Sequence, residues 1–482
     1  MKKLLPWLRN LTIVFICFFM VLMFIGLGRD YLFDWDEGIY ATIGREMRQS
    51  KDYLIPTWNG DLWLEKPPAI GWVTALGIAL AGENELGVRL LMPLFAALTL
   101  YAIFRIGEKL GGTLMGSASA ALLGYFNLFL SRARTVNTDG MLLAAIAWVS
   151  WLLLAGSSPW LVGLVMGLAV MTKGASGALA ILIALPLLIK QTPKYLKLLT
   201  FYFLLTVLPW HLYAFFLHGQ SFITPYLLEQ VVRRATVPIE FHLESRWFYF
   251  NFLYKDLGIG IITVALFSFV LMLKRWASDH KLDNLFYIWW WIGLPLVLFT
   301  LAKTRLSWYI LPAYPGLALA IGYGLTYFAV EKKSKTVVSI LVVGMLAQML
   351  WHGYQYIDVG RLAGPLPDTL QVAESLSNYP GQTLAMLVSP NERVAEAILP
   401  ESQTISSSFR YGGAPSVVWY SHKNLIYYYN YDKFTIEADS NPSITGIIIT
   451  IDDVAKVPPG FKQVIASGRY LGFVREAVYA YR

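Results

Sequence analysis

The run LTIVFICFFMVLMFIGLG, residues 11–28, decides the fold class together with Asp36-Glu37-Gly38-Ile39-Tyr40-Ala41, which follows it. A membrane-crossing helix needs about 20 mostly apolar residues. This run comes after Lys2, Lys3 and Arg9, is longer than a secretory h-region, and precedes no clear small-residue cleavage site. It reads as a retained transmembrane helix. Carboxylates at the mouth of a bilayer are costly to keep there, so Asp36 and Glu37 are functional candidates by default. The same polar loop carries Glu65-Lys66-Pro67-Pro68. Acidic groups in such a loop point to chemistry at a lipid surface.

Composition widens the membrane reading to the whole chain. Of 482 residues, 56% are hydrophobic and only 15% charged, against about a quarter charged in soluble domains. Mean hydropathy is +0.51. The net charge of +8 is not gathered into one patch, which argues against a nucleic-acid partner. The single cysteine, Cys17, excludes a disulfide framework within the chain and reads as a buried small hydrophobe.

Candidate spans fall near 9–28, 88–107, 113–131, 139–155, 159–172, 175–190, 197–215, 257–273, 284–301, 307–328 and 336–353. The stretch 69–81 is too short to cross and reads as an interfacial helix. With eleven spans, the short loops on one side hold basic residues from Lys2 to Lys335, while those opposite hold Arg132, Arg134, Lys173, Lys303 and Arg305. The richer side belongs in the cytoplasm. The N-terminus is then inside, and outer loops at about 29–87 and 216–256 face away from it. The chain thus divides into a polytopic α-helical membrane part, 1–355, and a small extracytoplasmic α/β domain, 356–482. The latter is expected from short β-branched runs such as 383–389 and 446–451, and from Asp368 as the cap of a short helix.

Asp36 and Glu37 open an expected helix through Tyr40, Arg45 and Glu46, where acidic residues also complement the helix dipole. The wider string is more specific. D-E-G-x-Y-A is followed by R-E-M, W-N-G, E-K-P-P and G-V-R-L at 87–90. Then come Thr138-Asp139-Gly140, Thr172-Lys173-Gly174, Leu208-Pro209-Trp210, E-Q-x-x-R at 229–233, His242 with Trp247-Phe248-Tyr249, and a final run from Ala302 to Pro312. This ordered set resembles the bacterial polytopic lipid-linked-sugar transferases that include the lipid A aminoarabinose transferase and, more distantly, the protein O-mannosyltransferases. It covers about residues 8–330. The C-terminal domain carries no matching motif.

The resemblance implies a GT-C type fold, a sugar donor joined to a polyprenyl phosphate, and transfer on the outer face of the cytoplasmic membrane. The acceptor, a lipid, glycan or protein, stays open. Displacement with inversion needs a base for the acceptor's proton and positive charge for the departing phosphate. Asp36 matches the family's catalytic aspartate, and Asp139 a second functional acid; Asp139 reads equally as a helix N-cap or a partner of Arg132 or Arg134. Lys66, Lys173, Arg233, Lys303 and Arg305 are the candidate phosphate contacts, with snorkelling to headgroups as the other reading. Residue types alone do not choose between Arg233 and Arg234. Glu65 is a further catalytic candidate. By the resemblance, Glu65 and His242 also form a candidate site for a divalent ion, zinc or manganese. The aromatics Tyr53, Trp58, Trp63 and Trp72 read as an interfacial belt. A transporter or flippase of a lipid-linked glycan is the alternative from another class; it calls for ionisable groups deep in the spans and inverted repeats, and no repeat is seen.

Overall fold

The computed structural model describes residues 6–237, 244–278, 283–331, 334–360, 366–388 and 411–479. The expected membrane helices are present, led by Pro6–Phe24. Among the described residues, seven helical stretches are long and apolar enough to cross a bilayer, or eight if the pair Thr113–Tyr125 and Asn127–Arg134, bent by 71°, is one span. The count of eleven is therefore not supported by length and composition. Two expected spans run together as Pro159–Leu188, through a 3-10 turn at Gly174–Ala178, and the apolar helix Leu285–Leu301 is short. Cys17 is exposed on the first helix, not buried.

Local signals explain the helix ends nearest the site. Asp36–Ser50 starts on two carboxylates and stops at Lys51, whose φ of 60° is left-handed. Asn84 caps Glu85–Arg89 by accepting from the Gly87 N–H, and Asn137 caps Thr138–Ala155 by accepting from that of Gly140. Asp139 thus lies in the first turn and is not the cap. Close helix contact at 92–125 depends on small residues: a Cβ on Gly107 would stand 2.7 Å from the Gly116 Cα. Pro67 and Pro68 follow a short hairpin, β1 (Thr57–Trp58) with β2 (Asp61–Leu62). Pro68 precedes Ala69–Ala81, a helix too short to span that buries Ile70, Thr74 and Ile78 while Leu76 and Leu80 stay exposed.

The C-terminal part holds a five-stranded mixed sheet ordered β4-β3-β5-β7-β6, with β3 Thr383–Leu387, β4 Asn424–Tyr428, β5 Ile444–Thr450, β6 Phe461–Ser467 and β7 Tyr470–Arg475. β3 pairs in parallel with β4 and β5; β7 runs antiparallel to β5 and β6. The neighbouring strands β3 and β5 are buried on both faces, as continuous apolar runs require. The helix Asp368–Ser377 forms as expected, but Pro367 holds the cap position, and Asp368 instead accepts from the Ser467 hydroxyl at 2.9 Å.

This part docks on the segment that follows the first helix through many polar contacts. Arg45 donates to the carbonyls of Trp419 and Val418 at 2.9 and 2.8 Å. Asn59 both donates to and accepts from the Leu425 backbone, and the Tyr420 hydroxyl donates to Glu85 at 2.9 Å. Glu83 stands 3.3 Å from His422 and 3.9 Å from Arg45. The hydrogen bond from His422, with the charge of Arg45, holds the Glu83 carboxyl below its usual range. A depressed carboxyl contributes stability above its unfolded pKa and loses it as pH falls through the folded one. Acid is therefore expected to loosen the docked segment, and Glu83→Gln to flatten that acid limb by less than about 1 kcal/mol, because the pair is partly solvated. Melting curves of the two proteins between pH 3 and 7 check this; parallel curves would remove Glu83 from the account.

Candidate active site

One end of the helix bundle encloses a cavity of about 1030 Å³. Its wall is built by the start of helix Asp36–Ser50, the turn at Trp63–Lys66, the approach to helix Thr138–Ala155, the Lys173–Leu182 turn, the 226–235 segment and the 298–309 segment. Tyr411 and Gly413, from the C-terminal part, close it. Leu142, Leu179, Leu182, Leu298 and Phe299 give it an apolar side.

Tyr40 marks the polar centre. The side chain is fully buried, and its hydroxyl receives a 2.6 Å hydrogen bond from Lys66 Nζ. Burial first, then the charges of Asp36, Asp139 and Glu65, push the phenol well above its ordinary pKa. The phenol keeps its proton, and the three expected carboxylates converge on it.

Each carboxylate has a different set of partners. Asp139 pairs with Lys173 at 2.5 Å, rather than with Arg132 or Arg134. Glu65 accepts from the Tyr411 hydroxyl at 2.7 Å and from Gln230 Nε2 at 3.0 Å. Asp34 accepts from the Ser416 N–H at 2.9 Å, and burial raises its pKa. Asp36 lines the cavity, and among the described residues its side chain has no hydrogen bond or ion pair. Glu37, next to it, is buried against Arg89 at 2.6 Å.

The expected cations divide between the cavity and its scaffold. Lys66 and Lys173 line the cavity; Arg233, Lys303 and Arg305 do not. Thr224–Arg233 is a π-helical segment, and its i→i+5 bonding shifts the inward face by a residue relative to an α-helix. It places Gln230 on Glu65 and brings Arg234, the next residue, into the cavity, where its Nη1 stands 3.3 Å from the Tyr309 hydroxyl. Lys303 is exposed. Arg305 is buried and donates to the carbonyls of Glu244 and Thr300, so it ties the loop down. The backbone of Lys303 and Thr304 bonds the carbonyls of Ala235 and Arg234, and the motif supports Arg234 from behind.

Other groups in the wall, besides Arg234, were not among the expected site residues. Arg132 lines the cavity with its guanidinium 4.7 Å from the Trp308 ring centre. Tyr309 lies 5.3 Å from Lys173 Nζ, measured to its ring centre. Trp63, read as part of an interfacial belt, is buried in the wall. The run at 302–312 pointed to Tyr309; no signal distinguished Tyr411. His242 lies outside the described residues. Among the described residues no group of three His, Cys, Asp or Glu side chains is placed to hold a metal ion.

A family model described as dolichyl-phosphate-mannose-protein mannosyltransferase matches residues 65–213. An undecaprenyl phosphate-alpha-4-amino-4-deoxy-L-arabinose arabinosyl transferase 2 of Pseudomonas fluorescens is 30% identical over 340 residues, covering 65% of this chain and 56% of that protein. The chain spans 52% to 60% of the length of the named arabinosyl transferases it matches. The crystal structure of ArnT from Cupriavidus metallidurans bound to undecaprenyl phosphate has a TM-score of 0.72 at 16% identity, with 96% of this chain and 98% of that one covered. An Archaeoglobus fulgidus oligosaccharyltransferase in complex with zinc and sulfate follows at TM-score 0.52 and 10% identity, covering 92% and 68%. The chain has the GT-C fold, and its resemblance to the bacterial aminoarabinose-type transferases holds in sequence and in fold.

The Asp139–Lys173 pair yields a stability test. Lys173→Met leaves a buried carboxylate without its cation, a change that costs about 3–5 kcal/mol. The variant should melt well below the wild type, and adding Asp139→Asn should recover most of the loss. A double variant no more stable than Lys173→Met would mean that Asp139 does not depend on this lysine.

Proposed function

We propose that this chain is an integral membrane glycosyltransferase that moves a sugar from a polyprenyl-phosphate donor to a lipid, glycan or protein acceptor. The observation that carries this reading is Asp36, a carboxylate left unpaired among the described residues in a cavity lined by Lys66, Arg132, Lys173 and Arg234. The apolar side of the cavity suits a lipid carrier that cannot leave the bilayer, and the named relatives use an undecaprenyl-phosphate-linked amino sugar.

The step balances simply. The acceptor hydroxyl attacks the anomeric carbon from the face opposite the phosphate; its proton passes to Asp36, the new C–O bond forms, and the bond to phosphate oxygen breaks with inversion. The departing phosphate is already a good anionic leaving group, so it needs positive charge more than a proton. Lys66, Arg132 and Arg234 supply that charge beside Lys173, with the arginines offering a fork to phosphate oxygens. Glu65 and Asp139 hold sugar and acceptor hydroxyls, and Arg305 acts at one remove by fixing the segment behind Arg234. Glu65 and His242 are the candidate ligands for a divalent ion, and no part of the step above runs through it. The contributing loops meet at one end of the bundle. The excess of lysine and arginine in the opposite loops supports a site on the outer face of the cytoplasmic membrane, with the N-terminus inside.

Purified protein in nanodiscs, offered radiolabelled polyprenyl-phosphate sugars and membrane extracts, tests the reading. Asp36→Asn is expected to lower transfer by about 10²- to 10⁴-fold while donor binding persists; wild-type turnover in that variant would reject the base assignment. Arg234→Ala should weaken donor binding about tenfold or more, as loss of a charged hydrogen bond does, whereas Arg233→Ala should leave it within about twofold. The reverse order would overturn the register of the π-helical segment.

A further inference from the structure

The C-terminal part has no motif of its own, yet it touches the stretch 34–38, which holds D-E-G, at three places. Asp34 accepts from the Ser416 N–H. Trp35, whose φ of 67° is strained for a residue with a Cβ, packs edge-on against Tyr411 with ring centres 5.9 Å apart. Gly38 lies so close to Ser416 that a Cβ there would come within 2.2 Å of its Oγ and 2.8 Å of its Cα. The glycine of D-E-G is therefore required by this docked segment.

Tyr411 also reaches the other carboxylate. Its ring stands 4.8 Å from that of Trp58, and its hydroxyl accepts from Trp63 Nε1 at 2.7 Å while donating to Glu65 Oε1 at 2.7 Å. With Trp63 as its donor, the hydroxyl proton is directed at Glu65. One side chain thus braces the residue before Asp36 and orients the carboxylate of Glu65.

We propose that Tyr411 is a positioning residue for Asp36 and Glu65, which makes the C-terminal segment around 411–416 a working part of the transfer site. The placement rests on the contacts above; its effect on rate rests on the reading of Asp36 and Glu65 as reacting groups. No acceptor need bind the sheet for this role. Its segment completes the wall that the membrane helices leave open.

Tyr411→Phe keeps the ring and removes the hydroxyl, so the full chain should fold. In nanodiscs, hydrogen exchange at 63–66 is expected to quicken at least about tenfold, as loss of one buried hydrogen bond to a charged group allows. Transfer kcat should fall by a similar factor with donor KM within about twofold, since the group acts on geometry rather than on donor binding. In a Glu65→Gln background, Tyr411→Phe should lower kcat no further; multiplied losses would mean that the tyrosine does not act through Glu65 and would overturn the proposal. Gly38→Ala gives a second route, with faster exchange expected at both 34–40 and 414–420. Unchanged exchange in both variants overturns the placement even if no donor supports transfer, a result that would count against the glycosyltransferase reading alone.

Discussion

The ion pair of Glu37 with Arg89 holds the region on which everything else in the site rests. Arg89 Nε and Nη2 donate to the two Glu37 oxygens at 2.9 and 2.6 Å, and its remaining hydrogens go to the carbonyls of Leu27, Asp30 and Tyr31. Glu37 also accepts from the N–H groups of Phe33 and Val136. A buried pair is a poor source of stability unless its hydrogen bonds are all made; here they are made to backbone, and the gain is position. The pair fastens the end of the first helix, the start of the second and the approach to helix Thr138–Ala155 to one point. Asp36 then has little choice of where to sit.

From that point the site is assembled from distant pieces of chain. Tyr40, one turn along the same helix, meets Lys66; Asp139, just after the Val136 anchor, meets Lys173. The π-helical segment brings Gln230 and Arg234, and the 302–309 run fixes that segment through its backbone. Most of these pieces are loops or helix ends, where polar groups escape the cost of lying inside the bilayer. The bundle beneath them supplies rigidity and an apolar wall.

Much of this was legible in the chain, for reasons that differ by residue. Helices were readable because apolar runs of bilayer length have few other uses, and strands 383–387 and 444–450 because β-branched runs between turns are specific. Asp36, Glu65, Lys66, Asp139 and Lys173 were readable because charge is expensive where they stand. Arg234 was not, since no sequence period reports a π-helical segment. Lys303 and Arg305 fall outside the cavity lining: the first is exposed, and the second is a buried cation on carbonyl oxygens, the same residue type as one on phosphate. Tyr411 lay beyond reach: its role comes from a tertiary contact 346 residues from Glu65. Among the described residues fewer helices reach span length where two expected spans join through a 3-10 turn, a matter of geometry that hydropathy does not record.

The way charges are partnered separates structure from chemistry. Two cations, Arg89 and Lys173, face carboxylates, and their fields are largely cancelled. Lys66 instead bonds a phenol that burial keeps neutral, and Arg132 lies over an indole. Such contacts hold a cation in place without neutralising it, so positive potential remains for a phosphate entering the cavity. The carboxylates divide in the same way. Glu37 is consumed by Arg89, while among the described residues its neighbour Asp36 pairs with no cation. A carboxylate paired with a cation is a weaker base, because the pair stabilises its ionised form. Two adjacent acids in the sequence therefore have opposite fates: the second takes the arginine and the first faces the cavity.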